Sequence, residues 1–218
     1  MTIQLVVTRR QLQLTATEQS LAKAAASRHA MRSQLQSQLS SKTFAYSSAS
    51  SLPIHPNTLK RMISKYSEQL VYRPLEEMQY WFAYSSGAFL EPGYPPLFYS
   101  RTEHKVITPN KSAVAGIGEG IAGFLAQRLY QCRKLARPNH DYPDIVMEGN
   151  DKTYLVESKA TALSLADIQQ VLDEELIRIA AYTASCAELD ARPVIGILVG
   201  TALISETTYQ SCITEVVV

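Results

Sequence analysis

Three charged residues sit where a buried strand has no structural use for them. In the stretch DYPDIVMEGNDKTYLVESKAT, residues 141–161, two apolar runs flank a turn, and the second run is broken by Glu157 and Lys159. Side chains alternate along a strand, so Leu155, Glu157 and Lys159 share one face while Val156, Ser158 and Ala160 share the other. Glu157 and Lys159 then project together, about 7 Å apart at roughly 3.3 Å per residue. Asp144 opens the neighbouring run and can come beside them. Buried charges are tolerated when they are paired or bind metal. Two carboxylates repel each other unless a cation lies between them, and hard oxygen ligands favour Mg²⁺. A lysine beside such an ion can orient or deprotonate a water, or neutralise charge developing on a phosphate. The competing reading is a surface hairpin with a solvated Glu–Lys pair.

The elements around these residues follow from periodicity and caps. The runs DIVMEG and TYLVESKA joined through GND read as a hairpin. A helix is expected over 111–131 with Asn110 as its cap. A second is expected over 164–187, entered through SLAD, which resembles a capping box. PVIGILVG (193–200) reads as a buried strand, and ITEVVV at the end of the chain as another. The order helix, strand, strand, helix, strand indicates an α/β layered domain.

With these residues in place, Pro143-Asp144 followed after a hairpin by Glu157-Ser158-Lys159 resembles the PD-(D/E)xK nuclease superfamily, with its restriction-endonuclease-like fold. The resemblance covers about residues 111–210 and implies a mixed sheet flanked by helices. It implies that Asp144 and Glu157 bind Mg²⁺ or Mn²⁺, that Ser158 adds its backbone carbonyl, and that Lys159 assists the attacking water. Many members also place a glutamate on the helix before the sheet, and Glu119 in GIGEGIAG matches as a further metal ligand. At helical spacing, Ala115, Glu119, Ala122 and Ala126 form a face of small side chains that could approach a sheet closely. The alternative is a solvent face with a hydrated Glu119. A polar residue on the following helix is implied as a substrate contact, and Gln169 at the edge of the apolar stripe is the better placed of Gln169 and Gln170. His140, just before the motif, is a second candidate substrate contact. The resemblance also implies a strand between the first helix and the motif, for which only Cys132–Ala136 is available. Gly116 and Gly118 lack a third glycine in the register of a dinucleotide fingerprint.

Residues 1–110 match no motif and are expected to be a mainly helical, basic N-terminal extension, with residues 111–218 as the α/β domain. One long helix is expected over 10–41, a Ser-rich connector over 45–53, helices over 57–70 and 74–86, and a proline-rich loop over 91–100. Tyr80, Trp81, Phe82, Tyr84, Phe89, Tyr94, Phe98 and Tyr99 form an aromatic cluster. Such a cluster serves as core or subunit contact, or as a stacking platform for bases.

The 218 residues carry a net charge of +1, but 1–110 hold 12 Lys+Arg against 6 Asp+Glu, and 111–218 hold 9 against 14. A basic region beside an acidic one suits a polyanion held near a cation site, or is chance on a neutral surface. No apolar run approaches the roughly 20 residues that cross a bilayer. Cys132, Cys186 and Cys212 form no metal spacing and read as buried hydrophobes of a reducing compartment. The chain is therefore expected to be a cytoplasmic, metal-dependent nuclease acting on DNA, with RNA as the alternative substrate and a homodimer as a candidate assembly. The rival is a non-catalytic nucleic-acid-binding or assembly protein on the same fold.

Overall fold

Residues 3–13 alternate so that Ile3, Leu5 and Val7 enter one hydrophobic core while Leu12, on the opposite parity, enters another. A strand with apolar residues on both faces belongs inside a sheet covered on both sides. The computed structural model describes residues 2–42, 45–85, 90–92, 98–100, 108–138 and 142–218. In chain order the elements are β1 (Ile3–Gln13), α1 (Ala16–Ser27), α2 (His29–Ser40), β2 (Ser47–Ile54), α3 (Pro56–Tyr66), α4 (Pro74–Ser85), β3 (Leu90–Pro92), β4 (Phe98–Ser100), α5 (Lys111–Tyr130), β5 (Arg133–Ala136), β6 (Ile145–Gly149), β7 (Lys152–Thr161), α6 (Leu165–Cys186), β8 (Val194–Leu203) and β9 (Thr208–Val217).

Seven strands form one mixed sheet in the order β2-β1-β9-β8-β7-β6-β5. β7 and β8 are parallel, as are β1 and β9, and the remaining neighbours are antiparallel. One core lies between the sheet and α3, α4 and α5, and the other between the sheet and α1, α2 and α6. β8 is buried along its whole length, as expected of the continuous apolar run at the sheet centre.

Both long helices start where their caps predict. Asn110 accepts from the amides of Ser112 and Ala113 at the start of α5. Ser164 and Asp167 cap α6 reciprocally. α5 is buried nearly all round, and its glycines explain how. A Cβ on Gly118 would lie 2.5 Å from Ala160 Cβ on β7, and one on Gly123 would lie 2.2 Å from the Tyr66 ring on α3. The glycines of GIGEGIAG are contact points with the sheet and with α3. The short strand sought between α5 and the hairpin is present as β5, at the sheet edge.

The first half differs from expectation. Instead of one helix over 10–41 there is the end of β1 and then two helices. Thr15 and Glu18 form a capping box that starts α1, and extended backbone at Arg28 separates α1 from α2. The Ser-rich segment 45–53 contributes an edge strand, β2, paired to β1. Within 91–100 the described residues are two short antiparallel strands, β3 and β4. β1 lies between β2 and β9 in the main sheet, so the division at residue 110 cuts through a shared sheet, and the first half is more than a helical extension. Of the aromatic cluster, Trp81 and Phe82 meet edge to face at 4.8 Å and pack on the α5-side core, while Phe89 and Tyr94 lie outside the described residues. No helix is long and apolar enough to cross a membrane among the described residues.

The tight α3–α5 contact gives a direct test. Gly123→Ala should destabilise the fold by about 1–3 kcal/mol through overpacking against Tyr66. The checking measurement is urea unfolding, where the midpoint should fall with an unchanged slope. An unchanged midpoint would contradict the packing described.

Candidate active site

The hairpin that carries the charged residues is fixed by its turn. Asn150 and Asp151 both take positive φ, 51° and 55°, the backbone of a two-residue turn whose twist suits a hairpin. The Asn150 side chain donates to the carbonyl of Tyr130 at 3.1 Å, tying the turn to the C-terminal end of α5. The register that follows pairs Gly149 with Lys152 and Ile145 with Val156. One step beyond Ile145, the chain brings Asp144 beside Glu157.

Four of the expected residues form one hydrogen-bonded cluster there. The Asp144 amide donates to Glu157 Oε2 at 3.1 Å. Asp144 Oδ2 accepts from the Ser158 amide at 2.7 Å and from Ser158 Oγ at 2.8 Å. Lys159 Nζ reaches Glu157 Oε1 at 2.6 Å. The contacts of Ser158 with Asp144 thus run through its amide and hydroxyl. Glu157 and Lys159 face the α6 side with Leu155, while Ser158 shares the other face with Ala160, which lies under α5. The Asp144 carboxylate is held by Ser158, and it is the Asp144 backbone amide that meets Glu157.

Electrostatics sharpen the arrangement. Glu157 is 1% exposed. Burial, reinforced by the charge of Asp144, pushes its pKa up to about 7 against the opposing pull of Lys159. Asp144 is also raised, by burial first and by the charge of Glu119, against the hydrogen bonds from Ser158. Burial disfavours the charged form of Lys159, but the hydrogen bond and charge of Glu157 outweigh it and raise its pKa. Asp144 and Glu157 are neighbours whose charged forms are both disfavoured, with the ammonium bonded to Glu157 alone. A pair of carboxylates is a donor set that suits a hard divalent cation. Among the described residues no group of three or more His, Cys, Asp or Glu side chains is arranged to hold a metal. An ion of the Mg²⁺ type needs only one or two carboxylates and fills its other positions with water and substrate oxygens, so Asp144 and Glu157 are the residues that could hold one.

The remaining expected residues lie elsewhere. Glu119, 6% exposed on α5, accepts from the Glu68 amide at 2.7 Å, from Gln69 Nε2 at 3.0 Å and from Arg137 Nη2 at 3.1 Å. Its charge is felt at Asp144, but its oxygens hold the segment after α3 and the segment after β5. Gln169 is on the flank of α6 that faces β9, with Nε2 3.5 Å from Cys212 Sγ. His140 lies outside the described residues.

The sequence reading overlooked Glu175 and Tyr142, whose charge and burial bear on the cluster, and Arg137, which holds Glu119. Glu175 on α6 places Oε1 4.0 Å from Lys159 Nζ, and its Oε2 is buried with no hydrogen-bond partner. Its signal was present: it lies three residues after Leu172 and four before Ile179, on the core-facing side of the helix. Tyr142 is buried with an unpartnered hydroxyl, and burial, together with the charges of Glu157 and Glu175, holds its pKa well above the usual range. Arg137 grips Glu119, Glu68 and the carbonyl of Tyr66.

A pH dependence follows. Glu157 has an ordinary pKa of 4.5 and a folded value of about 7, so between these the native state binds the extra proton. Its contribution to stability is full below the ordinary value and is lost as pH rises through the folded one. Asp144 acts in the same direction, and Lys159 acts only above its ordinary value of 10.5. Metal-free protein should therefore be less stable at about pH 8 than at about pH 5 by urea midpoint, and Glu157→Gln should flatten that difference. An equally steep profile in Glu157→Gln would contradict the assignment.

Compared with known proteins, the chain matches no family model, no curated protein and no solved structure.

Proposed function

We propose that the protein is a Mg²⁺-dependent nuclease that hydrolyses phosphodiester bonds in DNA by the chemistry of the PD-(D/E)xK resemblance. The observation that carries this reading is the convergence of Asp144, Glu157, Ser158 and Lys159 at one end of a single hairpin. The order α5, β5, β6, β7, α6, β8 agrees with the arrangement the resemblance implies and so supports a restriction-endonuclease-like core.

In this reading Asp144 and Glu157 hold the divalent ion, whose chemistry is to polarise a phosphoryl oxygen and make water more acidic. Ser158 fixes the Asp144 carboxylate through its amide and hydroxyl. Lys159 supplies the ammonium that orients water or neutralises charge developing on the phosphate. Glu119 acts at one remove, fixing Arg137 and the segment after α3.

A cationic surface lies where α3 meets the edge strand β5. Lys65 and Lys134 flank the Tyr66 ring at 5.1 and 5.9 Å from its centre, and Arg137 binds the Tyr66 carbonyl. Neither lysine pairs with a carboxylate among the described residues. Cations of this kind bind a phosphate backbone without reading its sequence. A second reading, a nucleic-acid-binding protein without catalysis, draws on the fact that Lys159 and Glu119 are already satisfied inside the chain. Metal binding separates the two.

With Mg²⁺ or Mn²⁺ the protein should nick or degrade DNA, and a chelator should stop it. Lys159→Ala should slow cleavage by at least about 100-fold while Mn²⁺ binding persists, because the lysine is not a ligand. Asp144→Ala should lose both. Calorimetry with Mn²⁺ reports on the site even if cleavage needs a particular target sequence. Wild-type protein that binds no divalent ion would remove the nuclease reading. Separately, Lys65→Glu with Lys134→Glu should weaken DNA binding on every sequence and reduce its salt slope by about one per lost phosphate contact. Unchanged binding would remove this surface from the account.

A further inference from the structure

The ion pair that neutralises Glu157 stands in the way of the metal. Glu157 Oε2 accepts from the Asp144 amide, and Oε1 accepts from Lys159. A cation on this carboxylate must share an oxygen with one of them. The amide is fixed by the hairpin register, whereas Lys159 is a point charge on a stem of four rotatable carbons. An ammonium and a divalent ion on one buried carboxylate also repel strongly, because little solvent screens them. Repulsion from the arriving ion therefore favours withdrawal of Lys159 from Oε1, and an ammonium left unpaired in a half-buried site would carry its own desolvation cost.

Resting on the metal-dependent reading, we propose that Glu175 is a positioning residue that receives the Lys159 ammonium when a divalent cation takes the Asp144–Glu157 pair. Glu175 Oε1 is 4.0 Å from Lys159 Nζ, so an approach of roughly 1 Å gives a charge-assisted hydrogen bond. Its other oxygen is buried and unpartnered, leaving capacity for a second donor. The nearest basic side chain of α6, Arg178, stacks on Tyr142 at 4.4 Å and makes no ion pair with Glu175 among the described residues. Glu175 itself is held in place because Leu172, Leu176 and Ile179 of the same helix are buried, with Leu172 and Ile179 set over the glycines of β8. Lys159 thus has two carboxylate partners on two elements, one free to take the metal and one to keep the ammonium beside it.

The test is a double-mutant cycle read by Mn²⁺ calorimetry without DNA, using wild type, Glu175→Gln, Lys159→Met and the double variant. Glu175→Gln should weaken Mn²⁺ binding about tenfold when Lys159 is present and less than about twofold in the Lys159→Met background. Lys159→Met alone should bind Mn²⁺ at least as tightly as wild type, since the competing charge is gone. Equal weakening by Glu175→Gln in both backgrounds would overturn the proposal and make Glu175 a metal ligand. No weakening in either would overturn it and make Glu175 a bystander. Both results leave wild-type Mn²⁺ binding intact and so leave the nuclease reading standing. Absence of binding in both wild type and Lys159→Met would instead remove that reading and the proposal together. Glu175→Gln keeps size and shape, and its urea midpoint serves as the check on folding.

Discussion

A carboxylate buried within a sheet needs compensation, and much of the structure around Glu157 supplies it. The turn at Asn150 and Asp151 sets the hairpin register, and the register delivers the Asp144 amide to one oxygen of Glu157. The strand itself delivers Lys159 to the other. Asn150 anchors the turn to α5, and α6 brings Glu175 from the opposite face. A one-residue slip in this hairpin would reverse every side chain and leave the charge uncompensated. In the proposed reading the same charge gives the hairpin its chemistry, because a pair of carboxylates reluctant to ionise gains when a divalent cation binds.

The first half of the chain completes this sheet. β1 pairs in parallel with β9, and Arg9 binds Glu215 of β9 while Tyr130 of α5 donates to the same carboxylate at 2.7 Å. On the other face Arg10 donates to Thr214 at 2.8 Å and pairs with Asp173 of α6 at 2.5 Å. Both central helices are thereby tied to the N-terminal strand by polar contacts as well as by packing. The basic residues of the first half stand on the same layered body as the carboxylates, which suits a polyanion that must lie near a cation site.

Much of the second half could be read from sequence because its signals are local. Alternation over residues 152–161, the turn residues before them, the Asn110 cap and the Ser164–Asp167 box each act within a few positions. The first half misled for equally physical reasons. Gln, Ala, Ser and Leu without Gly or Pro resemble one helix, and the capping box Thr15–Glu18 that starts α1 was the overlooked mark of a boundary. The Ser-rich β2 has weak strand propensity and owes its conformation to pairing with β1. In the site, burial of Glu119 followed from its small-residue surroundings, but its partners Arg137, Gln69 and the Glu68 amide come from distant segments. The choice between Gln169 and Gln170 considered polar residues at the stripe's edge and passed over Glu175, a charged one on its core-facing side. A charge at such a position is the stronger signal, since burial makes it costly.

The central claim is that Asp144 and Glu157 together hold a divalent cation. Crystals grown with Mn²⁺ test this most directly through the ion's anomalous scattering. The account predicts one Mn²⁺ peak in contact with oxygens of both Asp144 and Glu157. No peak there at saturating Mn²⁺, with Asp144 still on Ser158 and Glu157 still on Lys159, would contradict it.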